Sequence, residues 1–437
     1  MNYLLIKNGL IVTGNKVFKA DLLIGNDTII DIATTIQRPD PTTPVIDAGG
    51  RFVLPGSIDF CHHELTLSGF DVHDRDKLIG IQVMSGTTTL FETIEPASVV
   101  DIKNSIDHAL RLGQHNLPDF AFHFSPSRYQ FVNGRDLVDG YVLYGMSSIY
   151  ISSGFDCTRQ DGWFKKLYAH AERFNLTVII ALPDDKDLDW NSNDTFFPLE
   201  INSSGQPAYL DKVLQRVRNA SFPVLLSRLR YKEEVTLFNS YLTHNKNLYA
   251  EIEMPCSLGD QQAYKATNNL TEDSNDTLNL ITLGTFCRLV GMDNYLVMRP
   301  SLRVMIGNSS ESPVFNRPDK FFGLKYYSSM FYTLTVVTGK LAITDFVNCM
   351  CTKPAMLMGL YPQKGVIRVG SDADVVIWNP DAERNLYCNF ISEAVPKDLK
   401  LQGRAEFVFC KGKMVFDGET FFKENLTGKY LYRHPEE

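Results

Sequence analysis

Residues 365–380 read GVIRVGSDADVVIWNP. Two β-prone runs, Val366–Val369 and Val375–Trp378, flank a Gly-Ser-Asp turn, which is the texture of a small antiparallel sheet. Residues 405–419, AEFVFCKGKMVFDGE, and 418–422, GETFF, continue it with further Gly-centred turns. The N-terminal end reads the same way. YLLIKNGLIVTG (3–14), ADLLIGNDTIIDIA (20–33) and TPVIDAGG (43–50) each hold short β-prone runs broken by Asn-Gly, Gly-Asn or Gly-Gly. Two β-rich ends around a long central block predict one discontinuous domain, residues 1–54 with 355–437, in which the ends pair into a β-sandwich.

The central block, 55–354, has another rhythm. Apolar runs such as SIDF (57–60), TTTLFETI (87–94), FAFHFS (120–125), TVIIAL (177–182), FPVLLSRL (222–229) and LYAEIEM (248–254) alternate with helical stretches. One predicted helix covers 99–115, with Val99, Ile102, Ile106, Ala109, Leu110 and Leu112 at helical spacing. Another covers 161–175, where Trp163, Leu167, Ala171 and Phe174 make one face. Seven or eight such repeats predict an α/β fold: a parallel (β/α)8 TIM-type barrel carrying the small sandwich. A doubly wound open sheet is the alternative, and the split β ends favour the barrel.

The 437 residues suit one large domain plus a smaller one. A net charge of −8 with no Lys/Arg block argues against nucleic acid as a partner. No apolar run approaches the ~20 residues needed to span a bilayer. The N-terminal stretch has no basic start followed by a small-residue cleavage site, so a cytoplasmic location is expected. Eight scattered cysteines without a CxxC read as reduced, mostly buried thiols.

Residues 5–33, then 45–60 (VIDAGGRFVLPGSIDF), 248–258 (LYAEIEMPCSL), 359–381 (GLYPQKGVIRVGSDADVVIWNPD) and 403–419 together resemble the cyclic amidohydrolases. The likeness to the dihydropyrimidinase (hydantoinase) branch is strongest at 359–381, and dihydroorotase is a further relative. The resemblance implies a barrel with a terminal β-sandwich. It also implies one or two divalent metals at the C-terminal ends of the barrel strands. There they supply hydroxide and polarise an amide carbonyl.

Carried over position by position, those ligands are mostly missing. The His-x-His pair falls on Cys61 and His63 of FVLPGSIDFCHHE (52–64). The carboxylated Lys falls on Tyr150, which cannot be carboxylated. The substrate-facing Tyr falls on Phe155, without a hydroxyl for an oxyanion. The next two His positions fall on Ala181 and on Ser227 or Arg228. The catalytic Asp falls on Asn308 or Ser309. Cys61 and His63 remain weak zinc candidates, because a thiolate and an imidazole both bind zinc. Zinc held there would need two further ligands. His123, on a predicted strand, reads as a satisfied core histidine.

Two functional readings follow. In the first, the chain is a metal-depleted, catalytically inactive protein of this fold with a binding or assembly role. Collapsin response mediator proteins and inactive dihydroorotase-like subunits of aspartate transcarbamoylase assemblies are family precedents. In the second, it is a divergent hydrolase of a cyclic-amide C–N bond, using one weak metal or a Cys/His group drawn from Cys61, His62, His63 and Glu64. The resemblance also implies a dimer or tetramer. The aromatic segment 321–339, FFGLKYYSSMFYTLTVVTG, is expected to be mostly core with part available to an interface. Asp184, Asp185 and Arg228 or Arg230 could line the barrel mouth and bind a polar ligand; the expectation is that they are solvated loop charges.

Overall fold

The structure, a computed structural model, describes residues 2–60, 72–94, 117–125, 144–151, 161–182, 206–254, 281–298, 322–385 and 400–433, with single positions 104, 107, 111 and 142.

The N-terminal β-prone runs form β1 (Tyr3–Val12), β2 (Val17–Gly25), β3 (Thr28–Ala33), β4 (Val45–Asp47) and β5 (Phe52–Pro55). Eight strands follow in the central block: β6 (Ser57–Asp59), β7 (Thr87–Ile94), β8 (Asp119–Phe124), β9 (Ser148–Ile151), β10 (Thr177–Ala181), β11 (Val224–Leu229), β12 (Leu248–Glu253) and β13 (Tyr295–Met298). The C-terminal part adds β14 (Val375–Asn385), β15 (Lys400–Cys410) and β16 (Lys413–Phe416).

Both chain ends share one sheet, in the order β16-β15-β14-β5-β1-β2-β3, with β4 paired to β1. The join is antiparallel, with Val375 opposite Pro55 and Trp378 opposite Phe52. This sheet bends around its own apolar core. Ile6, Ile11, Leu22 and Ile24 from the first end meet Val375, Ile377 and Phe409 from the last in one buried cluster.

The second sheet takes β6 to β13 in chain order, and every described pairing within it is parallel. Laid flat, its outermost strands would lie roughly 34 Å apart at the usual spacing. Yet Ile58 of β6 and Leu296 of β13 belong to one buried cluster with Phe91, Ala121, Ile179 and Leu225. The sheet is therefore curled into a barrel, and these side chains fill its lumen. Alternate residues, such as Leu90, Phe122, Ile180, Leu226 and Ile252, pack outward. They meet helices α1 (Val72–Met84), α2 (Asp161–Arg173), α3 (Gln206–Val217), α4 (Lys232–Leu242), α5 (Leu283–Val290) and α6 (Phe322–Tyr332).

Helix α2 lies where the 161–175 periodicity places it, with Leu167 and Ala171 buried and Phe174 half-buried. Of the helix predicted over 99–115, only Asn104, Asp107 and Arg111 are described, and they are helical. Most described positions of the aromatic segment are core, while Val337, Thr338 and Gly339 at its end are exposed. Tyr327, Met330, Phe331 and Tyr332 are buried, and Phe331 stacks on Phe346 at 5.5 Å. Cys287, Cys349, Cys351 and Cys410 are buried thiols outside any disulfide, and Cys349 and Cys351 donate to the Val290 and Pro55 carbonyls.

Two local expectations are corrected. Residues 365–374 form no strand. Gly365 and Gly370 take φ of +77° and +91°, the pairing there shrinks to an isolated bridge from Asp372 to Thr28, and Asp372 and Asp374 meet Lys364. GETFF likewise forms no strand, and Phe421 makes only an isolated bridge to Phe416.

Candidate functional site

The ends of the barrel strands hold three of the positions singled out in the sequence. Tyr150 lies on β9, half-buried against the lumen cluster, in register with Ile179. Ala181 closes β10 and is the register partner of Ser227 on β11. Both are buried, so a methyl and a hydroxyl stand side by side where the family resemblance asks for two imidazoles. Cys61, His62, His63, Glu64, Phe155, Asp184, Asp185, Asn308 and Ser309 lie outside the described residues.

Ser227 donates to Glu251 Oε2 of β12 at 2.5 Å. Glu251 is fully buried, and a carboxylate so placed needs such donors. Sequence reading missed this residue. The signal was available in LYAEIEM: Glu251 interrupts an apolar run and shares the lumen face with Tyr249.

Beyond Ser227 the strand is bent. Pairing with β12 shifts between Leu226 and Leu229, and Arg228 within that bulge takes φ +76°. Arg230 is buried, which corrects its reading as a solvated loop charge. The α4 start is fixed next to it. Glu234 accepts the Arg230 and Tyr231 backbone N–H groups at 2.8 and 3.0 Å, a carboxylate at a helix N-terminus.

His123 is the one histidine described on a barrel strand, and both its nitrogens are committed. Nε2 lies 2.6 Å from the Phe60 carbonyl, which can only accept, so Nε2 carries the hydrogen. Nδ1 then accepts from Ser148 Oγ at 2.5 Å. The ring stacks on Phe91 at 5.0 Å. Burial and then the Arg433 charge push its pKa down to about 3, against the smaller opposing effect of the Phe60 carbonyl. This agrees with a satisfied core histidine, and it leaves no lone pair for a metal.

Among the described residues, one group of three acidic or imidazole side chains converges closely enough for a metal: Asp119, Asp372 and Asp374. It lies at the start of β8, not at the strand ends, and a lysine occupies its centre. Lys364 Nζ is 2.5 Å from Asp119, 2.9 Å from Asp372 and 2.6 Å from Asp374, and Lys411 Nζ is 3.0 Å from Asp119. Burial alone lowers a lysine pKa. Here Asp374, Asp119 and Asp372 outweigh it, and the Lys364 pKa is raised.

A catalytic zinc takes three nitrogen, sulfur or oxygen ligands and leaves a position for water. Ala181 offers none, Tyr150 a phenol, Ser227 a hydroxyl given to Glu251, and His123 a fully used ring. Tyr150, Ala181 and Ser227, the described positions onto which the family's ligands carry over, do not supply the donor set that the implied metals need, and the carboxylate beside them is Glu251.

An eight-strand parallel sheet curled into a barrel, carrying a sheet built from both chain ends, is the architecture that the resemblance to the cyclic amidohydrolases implies. The likeness to one branch of them is specific. An amidohydrolase family model matches residues 297–415. The D-hydantoinase of Ralstonia pickettii is 24% identical over 477 aligned residues, covering 98% of each chain. Among solved structures, a dihydropyrimidinase from Brevibacillus agri superposes with a TM-score of 0.78 at 19% identity, covering 99% of both chains. A D-hydantoinase from a Thermus species gives 0.76 at 22% identity, again over 99% of both. The resemblance to hydantoinase and dihydropyrimidinase read from the sequence is thus borne out along the whole chain, as is the fold.

Proposed function

We propose that this chain is a hydantoinase-fold protein that no longer hydrolyses cyclic amides and acts instead as a binding or assembly subunit. The observation that carries this reading is the Ala181–Ser227 register pair, with Ser227 bonded to Glu251. Two adjacent strand ends that would each supply an imidazole supply a methyl group and an engaged hydroxyl. Tyr150 on β9 supports it, since a phenol cannot carry the bridging carboxylate. No zinc or other cofactor is required in this reading. Its site is cytoplasmic, and its partners are further copies of itself, as a dimer or tetramer, or another enzyme of an assembly. No helix among the described residues is long and apolar enough to cross a membrane.

Elemental analysis of the purified chain, together with hydrolysis assays on hydantoin and dihydrouracil, tests the proposal. The expected result is substoichiometric zinc and no turnover above the uncatalysed rate. Near-stoichiometric zinc with measurable turnover sinks it in favour of a divergent hydrolase. Turnover without metal that vanishes in Cys61→Ala points to the thiol version of that hydrolase. Light scattering at micromolar concentration tests the self-assembly part, which a monomer refutes.

A further inference from the structure

The C-terminal tail is stitched to the barrel by its backbone. The Gly428 N–H donates to Leu117 O at 2.8 Å, and Lys429 N–H to Asp119 Oδ1 at 2.7 Å. Leu431 N–H donates to Phe120 O at 2.7 Å, and Arg433 N–H to Gly145 O at 3.0 Å. Two glycines make room for it. A Cβ on Gly428 would lie 2.1 Å from the Pro118 carbonyl carbon, and one on Gly145 2.6 Å from the Tyr432 ring. Leu431 joins the lumen cluster.

Arg433 goes further in. It is 3% exposed, and its guanidinium sits 4.8 Å above the Phe91 ring. Nη2 donates to Phe122 O at 2.7 Å and to Ser148 Oγ at 3.0 Å, and Nη1 to Met358 O at 3.5 Å. Ser148 passes its own hydrogen to His123 Nδ1, and His123 passes its Nε2 hydrogen to the Phe60 carbonyl. The directions are consistent from end to end, so four groups form one unbroken donor chain. It starts in the tail and ends on the residue that precedes Cys61.

We propose that the tail is a built-in strap: Arg433, through Ser148 and His123, sets the backbone at Phe60, directly after β6. Seating or release of residues 428–433 then tightens or loosens the first strand end of the barrel. This does not depend on whether that strand end is catalytic.

Hydrogen–deuterium exchange of the full chain tests the strap on peptides covering 57–63, 119–125 and 427–433. Arg433→Met removes its head. Ser148→Ala breaks its middle and leaves Arg433 over Phe91. Each variant is expected to exchange about tenfold faster at 57–63 than the unmodified protein. Loosening confined to 427–433 overturns the proposal. Faster exchange at 57–63 in Arg433→Met with none in Ser148→Ala overturns the route through Ser148. If Arg433→Met does not fold, Ser148→Ala decides alone, and an unchanged 57–63 peptide is then the refuting result.

Discussion

Ser227 and Glu251, on neighbouring strands of the barrel, share a hydrogen bond of 2.5 Å in a setting where the carboxylate has no solvent exposure. Sequence comparison alone would score Ser227 as a lost ligand. The structure gives it a present task, which is to satisfy a buried acid.

That task has a measurable cost of removal. Ser227→Ala strips a donor from a buried carboxylate and is expected to destabilise the fold by roughly 1–3 kcal/mol. Ser227→Ala combined with Glu251→Leu removes both partners. Its loss in urea unfolding should fall below the sum of the two single losses, because the pair is coupled. Simple additivity would show that the two residues act independently.

His123 makes stability depend on acidity. Its folded pKa of about 3 lies below the unfolded 6.5, so the unfolded chain binds the extra proton between those values. The contribution is therefore complete above pH 6.5 and is lost as pH falls toward 3. Denaturation midpoints should decline over that window, and less steeply in His123→Gln. Equal slopes in the two proteins would remove His123 as the source.

Lys364 is the cation around which three aspartates gather. Lys364→Met leaves Asp372 and Asp374 without their shared cation and Asp119 with Lys411 alone, and is expected to cost about 3–5 kcal/mol. Chemical denaturation measures it. A loss under about 1 kcal/mol, the range of exposed ion pairs, would show that solvent reaches the cluster.

Gly428 admits nothing larger than hydrogen beside the Pro118 backbone. Gly428→Ala should lower stability by about 2 kcal/mol or more, since backbone must move on one side or the other. An unchanged thermal midpoint would mean that the tail is not seated there in solution.

Much of this molecule was legible in the one-dimensional pattern. β-Prone runs at both ends, and apolar runs alternating with helices between them, are local signals, and the two sheets follow them. Tyr150, Ala181 and Ser227 could be placed at strand ends because strand position is also local. Other features were hidden for a physical reason. Lys364 meets Asp119 across 245 residues of chain, and Arg433 meets Ser148 across 285. No spacing rule reaches so far. The Asp372-Ala-Asp374 triplet looked like a turn inside a hairpin. Its side chains instead answer to a lysine eight to ten positions earlier, and the strand gives way to suit them. Glu251 stood in plain view, but a lone acid in an apolar strand does not announce its neighbour.

The Lys364 cluster has one more consequence. Three carboxylates meet at a point that could host a free divalent ion, yet the positive charge there is tethered to the polypeptide. A chelating agent cannot extract a side chain. Treatment with EDTA therefore leaves this contact between barrel and sandwich intact. Any change that such treatment produces must arise at some other place in the molecule.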